Sequence, residues 1–168
     1  HVTGQWKSEE SNHRQAFLKT PKKSIQGIWT GIAMLAGDEM AGERMGVVFE
    51  TKDQEDEQSC FSDHSLQDLN DNLKGIMKIY IGEEKAPGLS HFLASHNPTL
   101  DQQILQQLQN SFQGLKELPK PYDQLIIAAK DSPEHEAFEK AINNIFALSD
   151  LFVQAAKQSG TPISIKGG

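Results

Sequence analysis

The clearest hydrophobic pattern of the chain lies between residues 66 and 80, where apolar side chains recur every three or four positions. Residues at these spacings share one face of an α-helix. Ser62, Asp63 and Ser65 offer N-cap oxygens before it, Asp68 completes a capping-box-like arrangement with Ser65, and Gly82 is placed to end it. The apolar positions are Leu66, Leu69, Leu73, Ile76 and Tyr80.

The same 3.6-residue period predicts further helices on both sides. One covers about 98–118, and another begins at Ser132-Pro133 and ends before Gly160. Upstream, residues 25–35 predict a helix that Gly37 interrupts and that Asp38 caps for a second run over 40–49. A less defined first helix would contain Val2, Trp6, Phe17 and Leu18, and loops would cover 53–62, 82–97 and 118–132.

Strand patterns are weak, because the candidates at 47–49 and 77–81 fall inside longer helical periods. Amphipathic helices joined by short loops are typical of antiparallel bundles. We therefore expect residues 1–168 to form one all-α domain, an up-and-down four-helix bundle with short extra helices.

The net negative charge of the chain limits the classes of molecule that it could bind. The 168 residues carry a formal net charge of −7. Because nucleic-acid binding needs a basic stripe, a nucleic acid is excluded as a partner, whereas a cationic ligand or metal is easier to accommodate. No apolar stretch approaches the roughly 20 residues of a membrane span. The chain starts at His1 instead of Met, so we expect either a removed leader or a piece of a longer protein.

One acidic loop stands out for its candidate chemistry. Its carboxylates would repel one another unless a cation, an arginine or protonation compensates. Arg44, one helix upstream, is a candidate partner in a structural network. Alternatively, a hard cation such as ferric iron, which prefers oxygen ligands, could be held by Glu43, Glu55, Asp56, Glu57 and Asp63. A third interpretation is a solvated loop that caps the next helix. The loop acids are Asp53, Glu55, Asp56, Glu57 and Asp63.

The acidic loop and the segment before it resemble the sequence signature of a known family. Gln54–Asp63 reads QEDEQSCFSD and is preceded by Glu39–Met45, which reads EMAGERM. Together these segments resemble the signature of the imelysin-like family, which includes iron-regulated protein A and insulin-cleaving metalloproteases of bacterial envelopes. Similar continuations lie at 74–82, at 121–124 and at 150–156. Many relatives have His where this chain has Gln58.

The resemblance implies that this chain is the C-terminal half of a protein made of two helical bundles, with its site in the cleft between them. The family's Gly-x-His-x-x-Glu motif belongs to the N-terminal bundle, and no His here precedes a Glu by three positions. By resemblance, no residue of this chain is catalytic. The residues expected to line the cleft are Glu43, Arg44, Gln54, Glu55, Asp56, Glu57, Ser59, Cys60, Phe61, Ser62 and Asp63.

The function implied by the resemblance is iron uptake, with this half forming one wall of a cleft for a metal or another ligand. An alternative is an imelysin-type metallopeptidase whose metal ligands belong to the missing half. A second alternative is an interaction domain whose polar motif only holds two bundles together. The resemblance further implies iron or zinc in the intact protein, the N-terminal bundle as partner, and the periplasm or the outer-membrane-associated envelope as location.

Overall fold

Two long helices begin where the sequence supplies a polar cap followed by proline. In this computed structural model, Asn97 Oδ1 accepts a hydrogen bond from the Leu100 N–H at 3.0 Å, one residue before the helix that starts at Pro98. Ser132 Oγ likewise accepts from the His135 N–H at 3.2 Å, just before Pro133. Both caps satisfy amide groups that the first helical turn leaves without partners.

The structure describes residues 12–83, 86–118 and 121–165. The helices are α1 (Asn12–Lys19), α2 (Pro21–Met34), a π-helical segment (Leu35–Gly46), α3 (Val47–Thr51), a 3₁₀ turn (Gln54–Asp56), α4 (Ser65–Ile81), α5 (Leu89–His96), α6 (Pro98–Glu117), α7 (Tyr122–Ile126) and α8 (Pro133–Gln158). Two short antiparallel strands, β1 (Gly82–Glu83) and β2 (Ala86–Pro87), join α4 to α5. No helix in the described ranges is long and apolar enough to cross a membrane.

The core lies around α8, which packs against α2, the π-helical segment and α6. At its centre the rings of Trp29, Tyr80 and Phe152 meet, with centroid separations of 5.6–6.2 Å. All three side chains are fully buried. The long helices predicted at 66–80, at 98–118 and after Ser132 are confirmed, and the fold is the all-α bundle that the sequence predicts.

The predicted interruption at Gly37 is wrong. The chain continues from α2 through the π-helical segment into α3 without a break, so Asp38 caps no new helix. In the wider π-turn, the Val47 N–H donates to the Gly42 carbonyl five residues back. A Cβ at Gly46 would lie 2.9 Å from the Ala41 carbonyl oxygen, so a glycine suits this wide turn where a side chain would crowd the backbone.

Other local predictions also differ from the structure. The segment 82–97 is not all loop, since it contains α5, and 118–132 contains α7. The N-cap residue of α4 is His64, and no side chain caps that helix. Gly82 ends α4 as predicted, with a φ of 83°. Val2 and Trp6 lie outside the described residues, while Phe17 and Leu18 of the predicted first helix are exposed on α1.

Candidate functional site

A pocket of about 870 Å³ lies between the π-helical segment, α3 and α8. We call it the acidic groove. It is lined by Gly37, Asp38, Gly42, Glu43, Gly46, Val47, Glu50, Thr51, Phe146, Ser149, Asp150 and Ile165. Long π-helical segments are rare and occur frequently at functional sites, which draws attention to this wall of the groove.

Glycine brings the π-helical segment close to α8. A Cβ on Gly37 would lie 2.6 Å from Ser149 Oγ, nearer than real Cβ atoms approach another atom. Ser149 is buried, and its hydroxyl donates a hydrogen bond to the Ala33 carbonyl at 2.8 Å. The missing side chain at Gly37 therefore allows α8 to approach and sets the depth of the groove.

Carboxylates give the groove its electrostatic character. Asp38 and Glu43 come from the π-helical segment, Glu50 from α3 and Asp150 from α8. None of the described lining residues is Lys, Arg or His. The potential in such a groove favours a cation, or a partner surface that carries positive charge.

Two apolar side chains accompany these acids. Phe146 of α8 is 43% exposed, although α8 buries most of its large apolar residues, and Val47 at the start of α3 is 36% exposed. Exposed apolar groups beside a groove are typical of surfaces that contact another chain or a ligand.

Arg44 does not pair with the acidic loop. Its guanidinium contacts the Glu39 carboxylate at 3.3 Å, five residues back in the same helical segment. Glu39 is an acid that the sequence analysis did not single out. The prediction that Arg44 compensates the charge of the loop acids is therefore wrong, because Arg44 pairs with Glu39.

The acidic loop is a folded structure tied to two helices. The Gln54 amide donates to the Asp123 carbonyl at 3.1 Å, which fixes the loop to α7. The Ser59 hydroxyl donates to Asp68 at 2.6 Å, while its backbone N–H donates to Ser65 Oγ at 3.0 Å. Asp68 and Ser65, predicted as caps of α4, thus hold the loop instead of the helix start.

The predicted cleft residues differ widely in burial. Glu57 is 4% exposed, whereas Phe61 is fully exposed. Ser59 and Cys60 are half-buried. Arg44 is also half-buried, and the exposed members are Glu43, Gln54, Glu55, Asp56, Phe61, Ser62 and Asp63.

The predicted residues do not converge on one point. Glu43 lines the acidic groove, but none of the described loop residues from Gln54 to Asp63 does. Within the part of the chain that the structure describes, no three His, Cys, Asp or Glu side chains form a set that could hold a metal ion. Glu43 and the loop acids therefore do not form a shared metal site within this domain as described.

Sequence reasoning missed several residues of the groove, chiefly Glu50, Phe146 and Asp150. Glu50 lies on α3, while Phe146 and Asp150 lie on α8, so all three are outside the loop motif and follow no local pattern. One signal was present: Gly37 and Gly42 are five residues apart, a separation that matches the π-helical repeat.

Comparison with known proteins decides the family. The family model of Imelysin, a family classed among peptidases, matches residues 1–152. The chain belongs to the imelysin family. No curated protein matches it significantly.

Two solved structures share the fold of this imelysin chain. An imelysin peptidase from Bacteroides ovatus superposes with a TM-score of 0.59 at 22% identity, covering 80% of this chain and 38% of that one. A protein described as an iron-regulated protein A precursor, from Parabacteroides distasonis, gives a TM-score of 0.53 at 18% identity, covering 78% and 42%. The chain therefore spans about two fifths of the length of these solved relatives.

Proposed function

We propose that this imelysin domain forms one wall of a cleft that binds iron or an iron complex during iron uptake. The acidic groove is the observation that carries the proposal. Its four carboxylates, Asp38, Glu43, Glu50 and Asp150, are oxygen donors of the kind that hard cations prefer. A second helical bundle would cover the groove and supply the remaining ligands.

The size of the chain supports a second wall. Its match to only 38% and 42% of the solved relatives leaves room for another bundle in the intact protein. The exposed Phe146 and Val47 would provide apolar contacts beside the carboxylates. Contact with a partner bundle would remove these side chains from water.

The loop residues keep a part in the proposal, although they do not line the groove. Glu55, Asp56 and Asp63 are exposed, as is Phe61, so all of these can reach a partner bundle from the rim. Gln54 and Ser59 hold the loop in shape through Asp123 and Asp68. We therefore assign the loop to the contact between bundles and Glu43 to the ligand wall.

A location in the bacterial envelope accompanies the proposal. One solved relative is described as an iron-regulated protein A precursor, and a precursor is consistent with export. We propose the periplasm or the outer-membrane-associated envelope, where an iron-binding protein would meet its cargo before uptake.

The test uses the intact protein and ferric citrate. Thermal unfolding with and without ferric citrate should show a higher melting temperature with iron, because a ligand bound only by the native state stabilises it. The double variant Glu43→Gln/Asp150→Asn should lose this response. Glu139→Gln, which removes an exposed carboxylate of α8 outside the groove lining, should keep it.

Two results would overturn this assignment. An intact wild-type protein that ferric citrate does not stabilise has no iron-binding cleft. A double variant that retains the full response would place the iron away from the acidic groove. If the double variant only weakens association between the bundles, the groove is an interface and the domain is an interaction domain.

A metallopeptidase is the second candidate, favoured by the solved relative described as an imelysin peptidase. Because the described residues provide no three-ligand set, the metal ligands of such an enzyme would come from outside them. The intact protein should then cleave a peptide in a metal-dependent manner. Replacing the histidine and glutamate of the Gly-x-His-x-x-Glu motif should abolish cleavage, and a pure preparation without cleavage would remove this candidate.

A further inference from the structure

One buried tyrosine has a carboxylate at its hydroxyl and an indole beside its ring. The Tyr80 hydroxyl donates a hydrogen bond to Asp101 Oδ1 at 2.6 Å. This distance is typical of charge-assisted bonds from a hydroxyl to a carboxylate. The centroids of the Tyr80 and Trp29 rings are 6.2 Å apart. Tyr80 and Trp29 are fully buried and Asp101 is 6% exposed, so the three groups meet inside the core.

Four helices fix this arrangement. Trp29 comes from α2, Tyr80 from α4 and Asp101 from α6. Phe152 of α8 packs against both other rings, with centroid separations of 6.1 Å to Trp29 and 5.6 Å to Tyr80. A phenyl ring is much harder to oxidise than an indole or a phenol, so Phe152 positions its two neighbours. Indole, phenol and carboxylate are therefore held in a fixed order by the packing of the bundle.

The carboxylate changes what the phenol can do. A neutral phenol that loses an electron becomes a very strong acid, so its oxidation is easiest when a base already accepts its proton. Burial, together with the hydrogen bond to Asp101, raises the pKa of the Tyr80 hydroxyl, so a phenolate is not available at neutral pH. Electron loss from Tyr80 must therefore accompany transfer of its proton, and the Asp101 carboxylate is the acceptor already in contact.

We propose that Trp29 and Tyr80 form a redox pair that takes up the oxidising power of one-electron oxidants. The oxidant removes one electron from the Trp29 indole and is itself reduced. Tyr80 then gives one electron to the indole radical cation, while its phenolic proton moves along the hydrogen bond to Asp101. The products are neutral Trp29, a neutral Tyr80 phenoxyl radical and a protonated Asp101 carboxyl group.

The substrate of this pair is a radical oxidant, such as the carbonate radical, which one electron reduces to carbonate. The transfer moves the oxidised state from an indole to a phenol in the centre of the bundle. It needs no iron in the acidic groove, so the proposal does not rest on the proposed function.

The composition of the chain makes the test specific. It has two tryptophans and two tyrosines, so the variant Trp6→Phe/Tyr122→Phe keeps only Trp29 and Tyr80. Tris(bipyridine)ruthenium(III), generated by a laser flash, serves as the oxidant, and its positive charge suits a chain of net charge −7. Transient absorption should show the indole radical decaying as the tyrosyl radical appears. Electron paramagnetic resonance of freeze-quenched samples identifies the tyrosyl radical.

The matched control exchanges one tyrosine for the other. Trp6→Phe/Tyr80→Phe keeps Tyr122, whose ring packs against Phe138 at 5.5 Å. In this variant the indole radical should persist and the growth of the tyrosyl radical should be lost.

A second control tests the proton acceptor. Adding Asp101→Asn to Trp6→Phe/Tyr122→Phe keeps an oxygen that can accept a hydrogen bond but removes the base. The transfer should become slower. Deuterium oxide should also slow it in the protein with Asp101, which a purely structural role of the hydrogen bond would not produce.

Three results would overturn the redox pair. They are an indole radical that decays without tyrosyl radical in Trp6→Phe/Tyr122→Phe, equal tyrosyl growth in the control that keeps Tyr122, or transfer unaffected by both Asp101→Asn and deuterium oxide. Circular dichroism shows whether each variant is folded. If Tyr80→Phe or Asp101→Asn disrupts the fold, Trp6→Phe/Tyr122→Phe decides, because Tyr80 is its only tyrosine and an absent tyrosyl signal contradicts the proposal.

Discussion

The rings of the two tyrosines of the chain, Tyr80 and Tyr122, have similar surroundings, but their hydroxyls differ in hydrogen bonding. Tyr80 packs against Phe152 with centroids 5.6 Å apart, and Tyr122 packs against Phe138 at 5.5 Å. Both phenylalanines belong to α8. The aromatic ends of the two regions are therefore built in the same way and from the same helix.

The hydroxyl ends differ. The Tyr80 hydroxyl donates to the buried Asp101 carboxylate at 2.6 Å, whereas the Tyr122 hydroxyl and Glu57 Oε1 have no partner within the described chain. A satisfied pair of this kind stabilises the fold and specifies how α4 and α6 pack. The Tyr80 hydroxyl therefore contributes a buried hydrogen bond to the stability of the fold, and the Tyr122 hydroxyl contributes none within the described residues.

The largest losses of stability should come from removing the phenylalanine that packs against each tyrosine, and the two losses should be similar. Phe152→Ala and Phe138→Ala each remove a fully buried ring, and each should lower the free energy of unfolding by about 3–5 kcal/mol. Urea unfolding followed by circular dichroism measures both. Phe146→Ala, at a 43% exposed position, serves as the control with a much smaller loss. A small loss for Phe138→Ala alone would show that the Tyr122 region is loosely packed.

Removing the Tyr80 hydroxyl should lower the free energy of unfolding more than removing the Tyr122 hydroxyl does. Tyr80→Phe leaves the Asp101 carboxylate, which is 6% exposed, without its hydrogen-bond donor. We expect a loss of about 2–3 kcal/mol, as for other hydrogen bonds to buried charged groups. Equilibrium unfolding in urea measures it. A loss below that of Tyr122→Phe would show that the Tyr80–Asp101 hydrogen bond does not stabilise the fold.

Alkaline pH should weaken the folded state through both tyrosines. Burial raises the pKa of each hydroxyl, helped by the Asp101 hydrogen bond at Tyr80 and by the Glu57 charge at Tyr122. Because the folded pKa is above the unfolded value, this contribution is complete below about pH 10 and is lost as pH rises further. Each tyrosine should reduce stability by up to about 1.4 kcal/mol per pH unit in that range.

Urea unfolding between about pH 9 and pH 11 tests this slope, since tyrosine titrates near pH 10 in unfolded chains. Each Tyr→Phe variant should remove the part of the slope that comes from its own tyrosine. The slope that remains in the double variant comes from other titrating groups such as lysines and is subtracted. A single variant that already removes the whole slope would show that only one hydroxyl resists ionisation.

The smallest effect should come from Tyr122→Phe. Its hydroxyl makes no hydrogen bond within the described residues, so its loss should change the free energy of unfolding by less than about 1 kcal/mol. The same urea titrations measure this change. A loss as large as that of Tyr80→Phe would mean that the hydroxyl already has a structural partner.

Local patterns predicted some elements well and others poorly. α4, α6 and α8 are long, carry regular apolar stripes and, except for α4, have side-chain caps, so neighbouring residues suffice to define them. α5 and α7 have only 8 and 5 residues, too few for a distinct periodicity. The π-helical segment was missed because glycine usually marks a helix end, and only packing against α8 favours continuation here.

The sequence by itself determined the helical class, the long helices of the bundle and the family, because periodicity and a motif are properties of neighbouring residues. Tertiary structure decided which carboxylates share a surface. Glu43 and Asp150 line the same acidic groove although they are far apart in sequence. Arg44 pairs with Glu39 instead of an acid of the loop. The same holds for Glu57, which is buried in a loop that Gln54 fixes to α7. Hydrogen bonding and burial depend on three-dimensional neighbours, which a linear pattern of residue types does not specify.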